Sequence, residues 1–207
     1  ENYKTVITSI NPEVKSLFNI VDAANREDDD TEAASDRPVV PVTIENITFD
    51  NPYGAAFRYE TKAGTAQDDV TKLILGGCEF RGGNRLAADQ PGEPVVKITG
   101  RGGKTLIYNT VFHSNKGIPL DAVDTEVLNA TFALNTQSPV LSDSVYESSL
   151  YNSVLWRNGG AGTSEEESQG ITAPQLLSVE TGGYAPVKTK NIAYNAIQNL
   201  AATTLAQ

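Results

Sequence analysis

The chain has 207 residues, 39% of them hydrophobic, enough for one sizeable core or two small ones. Its formal net charge of -10 and isoelectric point near 4.6 argue against a phosphate-backbone partner, which needs a basic face, so nucleic acid is not expected. A single cysteine, Cys78, rules out an intramolecular disulfide framework and a cysteine-based zinc site, and the lone His113 leaves little for metal ligation or Ser-His catalysis.

The opening stretch "ENYKTVITSI" lacks the basic-then-apolar order of an export signal, and no apolar run approaches the roughly 20 residues that cross a bilayer. The expectation is a soluble chain that does not span a membrane, with any export signal already trimmed. In "NPEVKSLFNIVDAANRE", Asn11 offers an N-cap, Pro12 the first helical position, and Val14, Leu17, Phe18 and Val21 a helical spacing. That pattern predicts a short N-terminal helix capping the first coil of a stacked fold. Residues 27–36 then read as a solvated acidic loop. Calcium binding by Asp28, Asp29 and Asp30 is the sharper alternative, but adjacent carboxylates lack the alternating spacing that wraps oxygen ligands around one ion.

From Asn46 onward the chain repeats. The units "NITFDN", "GCEFRGG", "NTVFHSN", "NATFALN" and "NSVLWRN" begin at Asn46, Gly77, Asn109, Asn129 and Asn152, taken here as position zero. Two residues earlier stand Ile44, Leu75, Ile107, Val127 and Leu150, an aliphatic column expected in the core. Three residues later stand Phe49, Phe80, Phe112, Phe132 and Leu155, and one later the mostly small Ile47, Cys78, Thr110, Ala130 and Ser153. Positions one and three share a face, as on a strand of period two.

The units recur after 31, 32, 20 and 23 residues, and the shorter intervals suit one turn of a β-solenoid. The longer ones contain the polar inserts "ETKAGTAQDD" and "GGNRLAADQPGE", which fit loops let out from a coil. Each coil carries a second segment: "PVVKI" from Pro94, "PLDAV" from Pro119, "PVLSD" from Pro139 and the looser "AAFRY" from Ala55. Proline is tolerated at a strand's first residue. Asparagine at position zero is expected to turn the chain and to point its amide inward, where identical residues about 4.8 Å apart hydrogen-bond between coils. The expected structural ladder is therefore Asn46, Asn109, Asn129 and Asn152, with Asn135 at the outer end of its unit. The glycosylation sequons at Asn46 and Asn129 fall on the repeat columns, and the repeat accounts for them.

"VFHSN" and "TFALN" match the F-x-x-N half of the repeat in bacterial polymorphic outer-membrane and related right-handed parallel β-helix proteins, and "GAAF" after Tyr53 resembles its G-G-A-I partner. The order of motifs is also similar to that of exported β-helix proteins of Bacteroidetes: "TVITSI" resembles an opening "TVLSG", "LFNIV" a "YHVV" strand, and "NSVLWRN" with "YNAIQN" a closing "NSILWGN" and "YSAVQG". The resemblance covers most of the chain from Thr5 to Asn199, and "NSVLWRN" is its most specific part. It implies an all-β chain folded as a right-handed parallel β-helix, a single-stranded solenoid exported to the cell surface or beyond. It also implies a strand at residues 17–21, against the helix that the spacing predicts there. On this reading residues 1–41 form the cap or first coil with its acidic loop, 42–199 the coils, and 200–207 a tail. The chain departs from the family pattern in its nearly absent G-G-A-I halves and in the acidic insert "REDDDTEAASD".

No motif marks a reaction. "TGRGGKT" has Ile98 where a phosphate loop needs its first glycine, so it reads as a turn between strands. Asp68 with Asp69, or Asp121 with Asp124, would supply the two carboxylates of glycoside hydrolysis, and polar loops explain them more simply. The G-H-G and R-I-K motifs of pectin-hydrolysing β-helices do not occur, and nothing singles out Arg58, Lys97 or Arg101 as the base of a lyase. Cys78, in a small-residue column, reads as a buried thiol. No catalytic residue, metal ligand or cofactor is expected.

One surface feature stands out. Immediately before position zero come Glu45, Gly76, Tyr108, Leu128 and Tyr151, so three consecutive coils should expose a Tyr108–Leu128–Tyr151 strip suited to sugar or protein recognition. A covering loop such as "GTSEEESQG" would remove it. The expected function is a non-catalytic surface module for recognition or adhesion that binds glycan or a partner protein. The alternatives are a polysaccharide lyase or glycoside hydrolase of the β-helix type, and a structural spacer in a longer surface protein.

Overall fold

The computed structural model describes residues 5–9, 11, 16–21, 41–50, 52–61, 71–83, 93–100, 103–144, 146–159, 177–180, 183–186, 192–193 and 195–197. These form an all-β structure of three sheets with no helix among the described residues. Sheet A contains β1 (Thr5–Thr8), β4 (Ile47–Asp50), β7 (Glu79–Arg81), β10 (Val111–His113), β13 (Thr131–Ala133), β16 (Val154–Trp156) and β20 (Ala196–Ile197). Sheet B contains β2 (Ser16–Val21), β5 (Ala55–Thr61), β8 (Val96–Gly100), β11 (Leu120–Val123), β14 (Val140–Ser142), β17 (Leu177–Glu180) and β18 (Gly183–Pro186). Sheet C contains β3 (Val42–Glu45), β6 (Thr71–Gly76), β9 (Lys104–Tyr108), β12 (Thr125–Leu128), β15 (Ser149–Tyr151) and β19 (Ile192–Ala193).

From β1 to β16 the chain visits A, B and C in turn, so each coil adds one strand to every sheet and pairs in parallel with the coil before it. The one antiparallel pair among the described strands is the hairpin β17–β18. This stacking of parallel strands in three sheets is consistent with a parallel β-helix. The second segments of the sequence repeat are the strands of sheet B.

Register makes the repeat columns physical. Phe49, Phe80, Phe112 and Phe132 pair in successive strands of sheet A, followed by Leu155. Their rings stack with centroids 4.7, 4.9 and 4.7 Å apart and planes within 10°. Each such pair adds roughly 0.5–1.5 kcal/mol beyond the burial of its area. Leu75, Ile107, Val127 and Leu150 line the facing sheet C, fully buried, while Cys78, Thr110, Ala130 and Ser153 fill the narrow corner between the sheets.

That corner is a left-handed turn at position zero, where Asn46, Gly77, Asn109, Asn129 and Asn152 have φ of 58°, 60°, 50°, 52° and 48°. Asparagine tolerates this conformation and glycine adopts it freely. A second left-handed residue follows five positions later, at Gly82, Ser114, Leu134 and Arg157, with φ of 60°, 55°, 57° and 50°. Each bend turns two consecutive residues outward, so strict alternation fails at both corners.

This corrects the expected inward ladder. The position-zero asparagines are exposed, and their amides bond outside the coil, Asn152 Nδ2 donating to Asn129 Oδ1 at 2.6 Å and Asn129 Nδ2 to Asn109 Oδ1 at 3.3 Å. The inward ladder lies six positions on, at Asn115, Asn135 and Asn158, all with 0% exposure. Asn115 Nδ2 donates to Asn135 Oδ1 at 2.8 Å, and Asn135 Nδ2 to Asn158 Oδ1 at 2.7 Å. The same amides reach back to the carbonyls of Phe80, Phe112 and Phe132 at 3.0, 3.0 and 2.9 Å.

The expected capping helix is also corrected. Residues 16–21 form β2, paired in parallel with β5 from Ser16 opposite Ala55 to Val21 opposite Glu60, and the Phe18 ring meets Phe49 edge-on at 5.8 Å. Pairing to an existing sheet overrides a helical spacing that is only a weak prior. With β1 paired to β4 and β2 to β5, these two strands belong to a coil of the same kind as the later ones. The acidic run 27–36, the insert residues 62–69 and the tail 200–207 lie outside the described residues.

The ladder geometry generates a reversal of relative costs. Asn135→Ala should lower unfolding free energy by about 1–3 kcal/mol, because it orphans groups on both neighbouring coils. Asn129→Gly, which keeps the left-handed corner and loses an exposed amide, should stay close to the parent in urea titrations. Equal losses in the two variants would contradict the assignment of the buried ladder.

Candidate functional site

The outer face of sheet C carries two columns in register. One runs Glu45, Gly76, Tyr108, Leu128 and Tyr151, and the other Thr43, Ile74, Leu106, Glu126 and Ser149. Tyr108, Leu128 and Tyr151 thus lie side by side on consecutive coils, each half-buried. Tyr108 is committed to its neighbours. Its hydroxyl donates to Glu45 Oε1, and its ring lies so close over Gly76 that a methyl group there would collide with Tyr108 Cζ. The bond to a carboxylate holds the Tyr108 hydroxyl above the ordinary tyrosine range, which keeps it a donor.

Beside this strip opens a cleft of about 460 Å³ lined by Lys104, Asp124, Glu126, Tyr146, Glu147, Ser149 and Tyr151. Of the expected strip, Tyr151 lines it; Tyr108 and Leu128 continue the same surface outside it. The wall holding Tyr146 and Glu147 is the connection between β14 and β15, and polar groups at its base fix it. Asp124, 2% exposed and left-handed at φ 52°, accepts through Oδ1 from the backbone N–H of Ser144 at 2.7 Å and of Tyr146 at 3.1 Å. Asp143 Oδ1 accepts from Ser148 N at 2.7 Å, and the Ser148 hydroxyl donates to Ser142 O at 2.8 Å while accepting from Thr125 N at 3.0 Å. Lys104 Nζ sits 5.2 Å from the centroid of the Tyr146 ring, within cation–π range.

The sequence reading missed Lys104, Glu126, Tyr146 and Glu147. One signal was present. The interval from Asn129 to Asn152 is 23 residues against 20 for the coil before it, and the extra length lies in the segment that carries Tyr146. The suspected carboxylate pair is separated by role: Asp124 holds this loop, whereas Asp121 lies in sheet B opposite Lys97. Burial pushes the Asp121 carboxyl up, and the Lys97 charge opposes that rise.

The outer face of sheet A carries a polar network instead. His113 Nε2 and Glu79 Oε1 are 3.0 Å apart, Thr48 Oγ1 donates to Glu79 Oε2 at 3.1 Å, and Arg81 Nε donates to Asp50 Oδ1 at 3.0 Å. Farther along that sheet Val154 and Trp156 are exposed, Trp156 at 52%. Cys78 is buried, its thiol facing the carbonyl oxygens of Gly76 and Ile44 at 3.4 and 3.5 Å. Arg58 is ion-paired with Glu93, and Arg101 lies outside the described residues. Among the described residues no group of three or more His, Cys, Asp or Glu side chains is placed to hold a metal, and no helix is long and apolar enough to cross a membrane.

Comparison with known proteins returns no match. No family model fits the chain, and no curated protein or solved structure is significantly similar to it.

The network on sheet A predicts an acid-sensitive contribution to stability. The hydrogen bond from His113 lowers the Glu79 carboxyl below its ordinary range, with Thr48, Arg81 and the His113 charge acting the same way against the opposing effect of burial. A folded-state value below the unfolded one makes this contribution complete above the ordinary glutamate range and lost as pH falls through the lowered value. Glu79→Gln should therefore lower the melting temperature near neutral pH, and the gap to the parent should close on acidification. A gap that persists undiminished below the ordinary glutamate range in calorimetry would contradict the sign of the coupling.

Proposed function

We propose that the chain is a right-handed parallel β-helix of the kind its repeats resemble, exported to the cell surface, and that it works there as a non-catalytic recognition or adhesion module that binds glycan. The observation that carries this reading is the cleft on sheet C. Its volume of about 460 Å³ falls within the range of small-molecule sites and would accommodate a sugar unit. Two tyrosine rings give apolar faces for the C–H side of a sugar, while Lys104, Glu126, Glu147 and Ser149 offer polar groups for its hydroxyls. The half-buried Leu128 and Tyr108 extend that surface along the coil axis, the direction in which an extended glycan would run.

Preorganisation supports the same reading. The strands of sheet C are fixed by pairing on both sides, and Asp124 pins the loop that supplies Tyr146. A site built this way loses little conformational freedom when it binds.

Glycan-array screening followed by calorimetric titration of the hits provides the test. Tyr151→Ala and Tyr146→Ala should each weaken binding roughly tenfold, equivalent to about 1.4 kcal/mol, with melting temperatures close to the parent. Tyr108→Ala should show the opposite pattern, with a lower melting temperature through lost packing on Gly76 and Glu45 and a smaller change in affinity. Unchanged affinity in both cleft variants would move the site elsewhere, and capture of a protein ligand with no glycan hit would overturn the glycan reading.

A further inference from the structure

We infer that the outer face of sheet A joins two copies of this chain in a weak two-fold dimer, with Trp156 of each copy seated over Ala133 of the other. This is a different face from the sheet C cleft, and the inference does not depend on the glycan reading. Among the described residues four large apolar side chains are exposed, and three of them, Leu134, Val154 and Trp156, stand together where β13 and β16 pair. Ala133 lies opposite Trp156 in register and Thr131 opposite Val154, while Ala196 of β20 flanks Val154 on its other side. Leu134 adjoins this group, its backbone N–H donating to the Trp156 carbonyl at 3.0 Å. It occupies the left-handed corner, φ 57°, where Gly82 and Ser114 stand in earlier coils. A leucine there bears the backbone cost of a left-handed residue and, at 52% exposure, buries little of its side chain in return.

Two properties of the face select a second copy as its occupant. The first is charge. The chain carries a net charge of -10, yet on the described outer face of sheet A and the corner beside it the carboxylates of Asp50 and Glu79 are balanced by Arg81 and Arg157, with His113 between. From β10 to β20 no described outward residue of that sheet is acidic, so an equally acidic copy approaches here without the repulsion that the net charge implies. The second property is shape. A two-fold axis running along the strands between β13 and β16 brings Trp156 of one copy over Ala133 of the other, Val154 over Thr131, and Val111 over Ala196. Each larger side chain meets a smaller one. The rows on both sheets share one strand spacing of about 4.8 Å, so across four strands they stay in step. An isologous interface needs this self-complementarity.

The patch is small, which sets the strength of the contact. Three strands at about 4.8 Å by three residues at about 3.3 Å span roughly 15 by 10 Å, well below the roughly 800 Å² per partner of a standard interface. The dimer is therefore weak and reversible. Sheet C forms another side of the coil, so both clefts stay open and the pair presents two of them together.

The experiment is sedimentation equilibrium of the full chain from about 1 to about 500 μM, followed in parallel by tryptophan emission. Trp156 is the only tryptophan in the chain, so its emission reports this face alone. A monomer–dimer equilibrium half-dissociated at roughly 10–100 μM is expected, with the emission moving to shorter wavelength along the same isotherm as the ring leaves water. Ala133→Arg, which fills the notch with an outward charged side chain, should weaken the dimer at least roughly tenfold and leave the melting temperature close to the parent. Leu134→Gly, which relieves the left-handed corner, should weaken it by roughly two- to fivefold without loss of thermal stability.

A parent that stays monomeric across the whole range would overturn the inference. So would a dimer whose tryptophan emission does not move, or one that both variants form as readily as the parent, since the contact would then lie on another face. A shift of Trp156 emission when a β-1,4-glucose oligomer is added to the dilute monomer would assign the patch to a sugar in place of a second copy. None of these results bears on the sheet C cleft, whose test is the glycan titration of its own tyrosine variants.

Discussion

Everything in this structure depends on a buried amide finding its partner in the next coil. Asn115, Asn135 and Asn158 are removed from solvent, and each spends its side chain on the neighbouring asparagine and on the carbonyl of a core phenylalanine. An amide left unpaired there would be destabilising by roughly 1–3 kcal/mol, and a one-residue slip of any of these three coils would orphan several at once. The ladder therefore fixes register. Once register is fixed, the phenylalanine rings stack at strand spacing and the left-handed corners fall into line.

The same constraint shapes the outer surface. Because inward columns repeat from coil to coil, outward columns repeat too, and Tyr108, Leu128 and Tyr151 become neighbours although they lie 20 and 23 residues apart in sequence. A continuous flat column alone makes no concavity. The cleft arises where one coil is longer than its predecessor and the added loop stands up beside the sheet, held by the buried carboxylate of Asp124. Scaffold and recognition surface thus come from separate parts of the sequence, the repeat and the interruption of the repeat.

The repeat was legible in the amino-acid sequence because its core columns are chemically uniform. Phe49, Phe80, Phe112 and Phe132 announce a stack, and the small residues beside them announce a tight corner. Which asparagine points inward was not legible from alternation alone. From Phe132, period two places Asn135 outside, but the left-handed Leu134 turns outward with Ala133 and returns Asn135 to the core. At β2 the spacing pointed to a helix and only the resemblance implied a strand, since the partner β5 lies far along the chain and no local periodicity encodes that pairing. Tyr146 and Glu147 belong to no column, and Asp124 reveals its part only through backbone N–H groups some 20 residues away. Sites made by exceptions to a repeat escape a reading that works by finding the repeat.

The most direct test of the stacking register is the equilibrium unfolding of Val127→Asp. Val127 is fully buried between Ile107 and Leu150, so an aspartate there would place a carboxylate without a partner inside the aliphatic column. Such a burial is destabilising by several kcal/mol. The account predicts that cooperative unfolding is lost or its midpoint much lowered; a variant that unfolds at the same denaturant concentration as the parent would show that these coils do not stack in this register.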